Sequence, residues 1–461
     1  MLRPIASALL VIPAACGAPA PDAAEPVRAS PVAPAEETPP AELVAEPEEP
    51  EPAPAAAAPA PEALEVVEAT EQDSEAEKEL ERVTEEVKAQ IEELRGERFT
   101  APVKVSVSGA EEFRAYVKQR LETTTTPEEL AAEEELAKLL GLLPADFDYM
   151  AKTLELMESQ VGGFYDPGTK AFYLMEGFDD IARLILSHEL THALDDQLFD
   201  LDAVLDAGNL DAEWAAWAVV EGSGTAVMSR WMIKHPKEVD LSALQDLASR
   251  GMEGLDEAPS FLWKPLVGAY TKGDAFLAKR PDDLELSAAI RRAFEEPPRS
   301  SEQILHPEKY WDAEKRDEPL PVRFERGPLP EGWEVLGENT LGELVLGLFS
   351  EPPEKRNKTA NLFEMAMPRL TFDASEGWGG DRWLLLGRGD ADRALVLATV
   401  WDTEGDAQEF LAAVQGLSQH IEDGAADALD ATVDGKRVLV AITRGAGSAQ
   451  AQTARRWARF E

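Results

Sequence analysis

The residues most able to do chemistry are His188, Glu189 and His192, which spell His-Glu-Leu-Thr-His within a run from Ile181 to Gln197 that holds no proline or glycine. Ile181, Leu184, Ile185 and Leu194 recur there at helical spacing. Residues four apart on a helix lie one turn above each other on the same face, so two imidazoles are presented side by side. Imidazoles so placed suit a Zn²⁺ ion, and Glu189 beside them suits a base that takes a proton from a water the metal activates. The chain has only five histidines, His188, His192, His235, His306 and His420, so the motif is a rare arrangement against this composition. An exposed helix that merely carries two histidines is the plain alternative.

Two histidines leave the ligand set incomplete. Downstream, Asp211 to Ala226 reads as a second helix, rich in alanine, valine and tryptophan, in which a carboxylate is buried and needs a cation. Glu221 is that carboxylate, and Gly222 and Gly224 beside it let another backbone or the metal site approach closely. Glu213, two turns earlier, is the reserve ligand, and a Glu satisfied within the core is the bland reading of either. A third histidine six residues beyond His192 is ruled out, because Leu198 stands there.

The segment His188 to Gln197, followed by a helix ending Val220-Glu221-Gly222, resembles the gluzincin branch of zincin-like metallopeptidases, and more closely a set of secreted bacterial proteins of that type. The resemblance takes in Gly162 to Gly168 before the motif and Pro297 to Tyr310 after it, and extends over roughly residues 98–320. It implies a zinc peptidase with His188, His192 and Glu221 as ligands and Glu189 as base. Two departures stand out. The stretch from His192 to Glu221 is longer than in thermolysin-like enzymes, and Thr225 occupies the position where those enzymes carry an Asp that steadies a ligand histidine. Asp195 or Asp196 is then expected to fix the imidazole tautomer. For the donor to the tetrahedral oxyanion, His306 and Tyr310 are the first candidates, with Tyr165 and His235 behind them.

The elements that must position these groups are legible around them. Residues 74–96 read as a charged helix with one apolar stripe, Val103 to Val107 as a strand, and residues near 110–123, 127–141 and 146–160 as helices. Gly163 to Tyr165 and Ala171 to Leu174 flank the turn signal Asp166-Pro167-Gly168-Thr169 and read as a hairpin. By the resemblance, its last strand is the edge that pairs with substrate backbone. Residues 211–305 look mostly helical with breaks at Pro236, Pro259 and Pro281, and Pro265, Gly268 and Gly273 predict a short or kinked helix over Phe261 to Leu277.

A proline-rich passage at about 320–335 suggests a boundary. Beyond it, Arg382 to Leu386, Ala394 to Val400 and Arg437 to Ile442 read as strands, and Asp406 to Ile421 as a helix opened by Thr403 and Asp406. Trp378, Trp383 and Trp401 fit the core of this part better than a binding surface. The fold class expected is α+β, with a mostly helical zincin-like domain over residues 73–325 that carries a small sheet, then a smaller α+β domain over 335–461.

The N-terminus reads separately. Residues 1–16 combine one arginine, a short apolar run and small residues before Cys16, the only cysteine, which resembles a lipoprotein signal ending at a diacylated residue. Residues 17–72, dominated by Ala, Pro and Glu, read as a disordered linker. No intrachain disulfide is possible, and no apolar run approaches the roughly 20 residues of a spanning helix. A formal net charge of −45 excludes phosphate backbones as natural partners. The expectation is a zinc endopeptidase held at the bacterial envelope by a lipid anchor alone, acting on protein or peptide. The alternative is a non-catalytic envelope lipoprotein that uses the same fold as a binding module.

Overall fold

A computed structural model describes residues 71–178, 181–240, 242–243, 258–352, 367–418 and 425–460. The signal-like segment with Cys16, the linker up to residue 70, and His420 lie outside the described residues. The helices are α1 (Glu71–Arg95), α2 (Ala110–Thr124), α3 (Pro127–Leu139), α4 (Tyr149–Gln160), α5 (Ala182–Phe199), α6 (Leu201–Leu205), α7 (Leu210–Lys234), α8 (Ser260–Ala278), α9 (Leu286–Glu295), α10 (Ser301–Leu305), α11 (Glu308–Trp311), α12 (Gly342–Ser350), α13 (Glu404–Leu417) and α14 (Ser448–Arg455). The strands are β1 (Lys104–Ser108), β2 (Gly163–Asp166), β3 (Ala171–Met175), β4 (Val322–Phe324), β5 (Glu334–Asn339), β6 (Trp378–Arg388), β7 (Asp392–Trp401), β8 (Ala428–Asp434), β9 (Arg437–Arg444) and β10 (Ala458–Phe460). The fold is α+β, with helices in the majority and small, mostly antiparallel sheets.

Two helices form the centre because they are buried on every side rather than along one stripe. In α5 each residue from Leu184 to Asp196 is buried, and in α7 each from Leu210 to Gly224. Such helices carry polar groups inward only if those groups find partners. Asn209 starts α7 by accepting from the backbone N–H of Asp211 and Ala212 at 3.2 and 3.1 Å. Asp200, in the left-handed region at φ 58°, ends α5 and turns the chain into α6.

The helix α8 is continuous from Ser260 to Ala278, although its proline and two glycines predict a short or kinked one. Contact with α7 accounts for Gly273, while Gly268 lies against Leu370. A Cβ on Gly273 would collide with the carbonyl of Ala218, and one on Gly222 with the backbone of Gly273, so the two helices cross backbone against backbone. Pro265 gives up one hydrogen-bond donor, while its carbonyl accepts from Trp214 Nε1 at 3.1 Å.

In the first sheet the order is β1-β3-β2, with β1 parallel and β2 antiparallel to β3. The strand nearest the His-Glu-Leu-Thr-His helix in sequence, β3, is therefore central and has no free edge, which corrects its expected role as a substrate-pairing edge. The edges belong to β2, whose side chains are buried, and to β1, which is largely exposed.

The C-terminal sheet runs β5-β6-β7-β9-β8, all antiparallel. Its strands alternate sides as pleating requires. Leu385, Leu395, Leu397, Val440 and Ile442 join the main core with Trp217 and Val220, whereas Leu384, Leu386, Val396 and Ala398 meet Trp333 and Trp457 on the other face. Trp378, Trp383 and Trp401 are buried in the main core. Among the described residues, those from Glu77 onward cluster as one compact unit, in which the C-terminal sheet is a layer. Within the proline-rich passage Val322, Phe324 and Trp333 are themselves buried against the outer face of this sheet.

Candidate metal centre

On α5 the two imidazoles meet as the four-residue spacing requires, with His188 Nε2 2.9 Å from His192 Nε2. From α7, Glu221 Oε2 approaches both, at 3.1 Å from His188 Nε2 and 3.4 Å from His192 Nε2. Glu189 belongs to the same cluster, since single donor atoms of His188, Glu189 and His192 fall within 4.8 Å of one another. All four side chains are fully buried.

Ligand atoms about a tetrahedral zinc with bonds of about 2.0–2.1 Å stand roughly 3.3 Å apart. The three separations bracket that value, and two nitrogens with one carboxylate oxygen are donors that zinc accepts. The residues present therefore fit the ion. Burial, helped by the neighbouring His192, holds His188 down to a pKa of about 4, so its ring is the neutral form a metal requires. Burial alone would raise Glu221, but the two histidines outweigh it and lower its pKa, favouring the carboxylate.

Several neighbours fix this geometry, and sequence reasoning missed most of them. Trp217 Nε1 donates to Glu221 Oε1 at 2.9 Å, one turn earlier on α7, which leaves Oε2 to face the histidines. The pair Trp217 and Glu221 at helical spacing was the available signal. Gly224 lies flat against His188, and Tyr270 of α8 stacks on the same ring with centroids 5.8 Å apart. Tyr270 was hidden because its segment did not read as one helix.

The expected supporting residues are placed elsewhere. Asp195 forms an ion pair with Arg95 at 2.6 Å and accepts from Ser223 Oγ at 2.6 Å. Asp196 accepts from Tyr165 Oη and Lys170 Nζ, both at 2.7 Å. Neither holds an imidazole, and among the described residues Nδ1 of His188 and of His192 has no hydrogen-bond partner. Thr225, half-buried on α7, likewise makes no hydrogen bond through Oγ1 among these residues. One turn beyond His192 on α5, the two carboxylates meet polar partners from α1, α7 and the β2–β3 hairpin, which take up their oxygens. Glu213 lies two turns, about 12 Å, before Glu221 along α7, and it lines a separate cavity with Tyr149, Trp214 and Phe261.

His306 and Tyr310 are not donors to this centre. His306 Nε2 lies 2.9 Å from the buried Glu343, whose carboxylate raises the imidazole pKa against the opposing effect of burial. Tyr310 donates its hydroxyl hydrogen to the carbonyl of Glu296 at 2.7 Å, and its ring packs on Phe276 and Trp311. Of the weaker candidates, Tyr165 is committed to Asp196, and His235 pairs with Glu238 at 3.2 Å and stacks on Trp231. A second acidic cluster, Glu302, Asp317 and Asp402, already surrounds a cation, because Lys309 Nζ lies 2.6, 2.9 and 3.0 Å from the three.

Fold and site together define an α+β protein with a buried two-histidine, one-glutamate cluster carried by two central helices. Within it, residues 334–455 match a family described as a domain of unknown function (DUF8575). That match runs from the first residue of β5 to the last of α14, and the cluster lies outside it. No curated protein and no solved structure matches the chain.

Proposed function

We propose that this chain is a zinc-dependent peptide-bond hydrolase of the gluzincin type, with His188, His192 and Glu221 as ligands and Glu189 as general base. The observation that carries the reading is the convergence of one carboxylate and two imidazole donors at 2.9–3.4 Å, with Glu189 in the same buried cluster. Zinc held there supplies a Lewis acid that activates a water and polarises an amide carbonyl. The Glu189 carboxylate takes the proton from the attacking water and returns it to the leaving amine nitrogen. Trp217 keeps Glu221 turned toward the histidines, and Tyr270, packed on His188, holds that ring in place. The dry surroundings strengthen each of these interactions. The protein acts from the bacterial envelope, with Cys16 as lipid anchor and residues 17–72 as tether; no helix among the described residues is long and apolar enough to cross a membrane.

Complete burial of the four groups favours a second reading. A substrate reaches them only after the residues that cover them move, whereas an ion that serves structure needs no such path. In that case the chain is a non-catalytic lipoprotein that binds a partner.

One experiment separates the two. The zinc-loaded protein and its Glu189→Gln variant are incubated with a peptide library, and the products are read by mass spectrometry. Cleavage by the parent alone, abolished by a chelator, supports the hydrolase. One equivalent of bound zinc with no cleavage by either protein supports the binding module, and no bound zinc refutes both metal readings.

A further inference from the structure

We propose that Arg95 is a positioning residue for the metal centre, which sets the spacing of the two ligand-bearing helices by holding Asp195 and Ser223 together. The inference rests on the metal-site reading above. Arg95 is the last residue of α1, Asp195 lies three residues past His192 on α5, and Ser223 lies two past Glu221 on α7. Arg95 Nη1 is 2.6 Å from Asp195 Oδ1 and donates to Ser223 Oγ at 3.2 Å, while Ser223 Oγ donates to Asp195 Oδ2 at 2.6 Å. Arg95 is 2% exposed, and Asp195 and Ser223 are fully buried.

A buried ion pair seldom stabilises a fold more than apolar side chains of the same volume, so its contribution here is geometric. Metal sites tolerate errors of about 0.2 Å in ligand distance. Toward α5, however, α7 presents Gly224 against His188, which allows close approach and supplies no side chain to interlock. Apolar contacts let helices slide, whereas a carboxylate ion-paired through one oxygen and hydrogen-bonded through the other does not. The triad of Arg95, Asp195 and Ser223 fixes the register of α5 on α7 within one turn of a ligand on each. It also makes α1, outside both ligand helices, a part of the centre.

The test uses the full chain, with the variants Arg95→Met, Arg95→Lys, Ser223→Ala and Arg183→Met. Zinc affinity is measured against a competing chelator, the geometry by the visible absorption of the cobalt-loaded protein, and the fold by melting without metal. Arg95→Met and Ser223→Ala are expected to weaken zinc binding about 10–100-fold and to change the cobalt bands, with partial recovery in Arg95→Lys. Arg183→Met removes the pairs from α5 to Glu86 of α1 and to Glu238 beyond α7, away from the ligands, and is expected to keep parental affinity.

The inference is overturned if Arg95→Met and Ser223→Ala bind zinc within twofold of the parent. It is equally overturned if Arg183→Met loses as much affinity for the same fall in melting temperature. Should Arg95→Met not fold, Ser223→Ala, which removes one hydroxyl, decides the matter. A parent that binds no zinc overturns the metal reading itself, whereas a parent that binds beside unaltered variants overturns this inference alone.

Discussion

Replacing Gly224 by alanine probes the centre with a single methyl group. A Cβ built on Gly224 stands 2.6 Å from His188 Cε1 and 2.8 Å from both ring nitrogens. Ordinary contact begins near 3.4 Å, so the ring must retreat by about 0.8 Å or α7 must withdraw from α5. Withdrawal is resisted, because Gly222 on the same helix is already backbone to backbone with Gly273. The ring moves instead, and its Nε2 leaves the position shared with His192 and Glu221. Two stability effects oppose each other. Alanine is the better helix former by about 1 kcal/mol, while overpacking costs about 1–3 kcal/mol. The metal-free variant is therefore expected within roughly 2 kcal/mol of the parent by urea unfolding. Zinc affinity, which depends on ring position rather than on the sum, is expected to fall about 10–100-fold, the range seen when groups that orient a ligand are disturbed. Competition with a chelator measures the second quantity. Parental zinc affinity in a folded Gly224→Ala protein would refute the argument, since His188 would then not be held against Gly224 as a ligand.

Three further outcomes follow from groups away from the centre. Asp211 is fully buried in the first turn of α7; burial foremost, with Asp381 and Glu343 nearby, pushes its pKa from 3.8 up to about 7. Between about pH 4 and 7 the folded chain keeps a proton that the unfolded chain has released, so this group's contribution to stability falls as pH rises through that window. Asp211→Asn is expected to add stability at pH 8 and little at pH 5, and equal effects at both would contradict the shift. Lys309→Met leaves Glu302, Asp317 and Asp402 without their shared cation. Because two of the three remain partly open to water, the loss by urea unfolding is expected at roughly 2–3 kcal/mol, below that of a fully buried pair; a neutral effect would mean the cluster is solvated. Tyr310→Phe strands the carbonyl of Glu296 and is expected to cost about 1–2 kcal/mol, with zinc binding and any cleavage unchanged. A Tyr310→Phe protein that keeps its stability but loses turnover would restore the residue to the site.

The sequence by itself determined the parts that local geometry dictates. The spacing of His188 and His192 places two imidazoles on one helix face whatever surrounds that helix. The turn at Asp166 to Thr169 makes the β2–β3 hairpin, and Thr403 with Asp406 starts α13 through reciprocal side-chain and backbone bonds. The apolar run around Glu221 marked it for burial, because a carboxylate within such a helix needs a cation.

Tertiary structure decided which partners these residues meet. Helix α8 runs unbroken although it holds Pro265 and two glycines, Gly273 being a contact point with α7 and Gly268 lying against Leu370, partners that no window of its own sequence contains. Its continuity brings Tyr270 onto His188 and leaves Tyr310 buried against Phe276. Asp195 faces Arg95 rather than an imidazole because α1, about a hundred residues earlier, packs on that side of α5. The C-terminal sheet joins the main core although prolines precede it, since one face of β6, β7 and β9 carries apolar side chains into the same buried cluster as Trp217 and Val220. Each of these outcomes rests on side chains far apart in the chain, whose meeting depends on how helices cross.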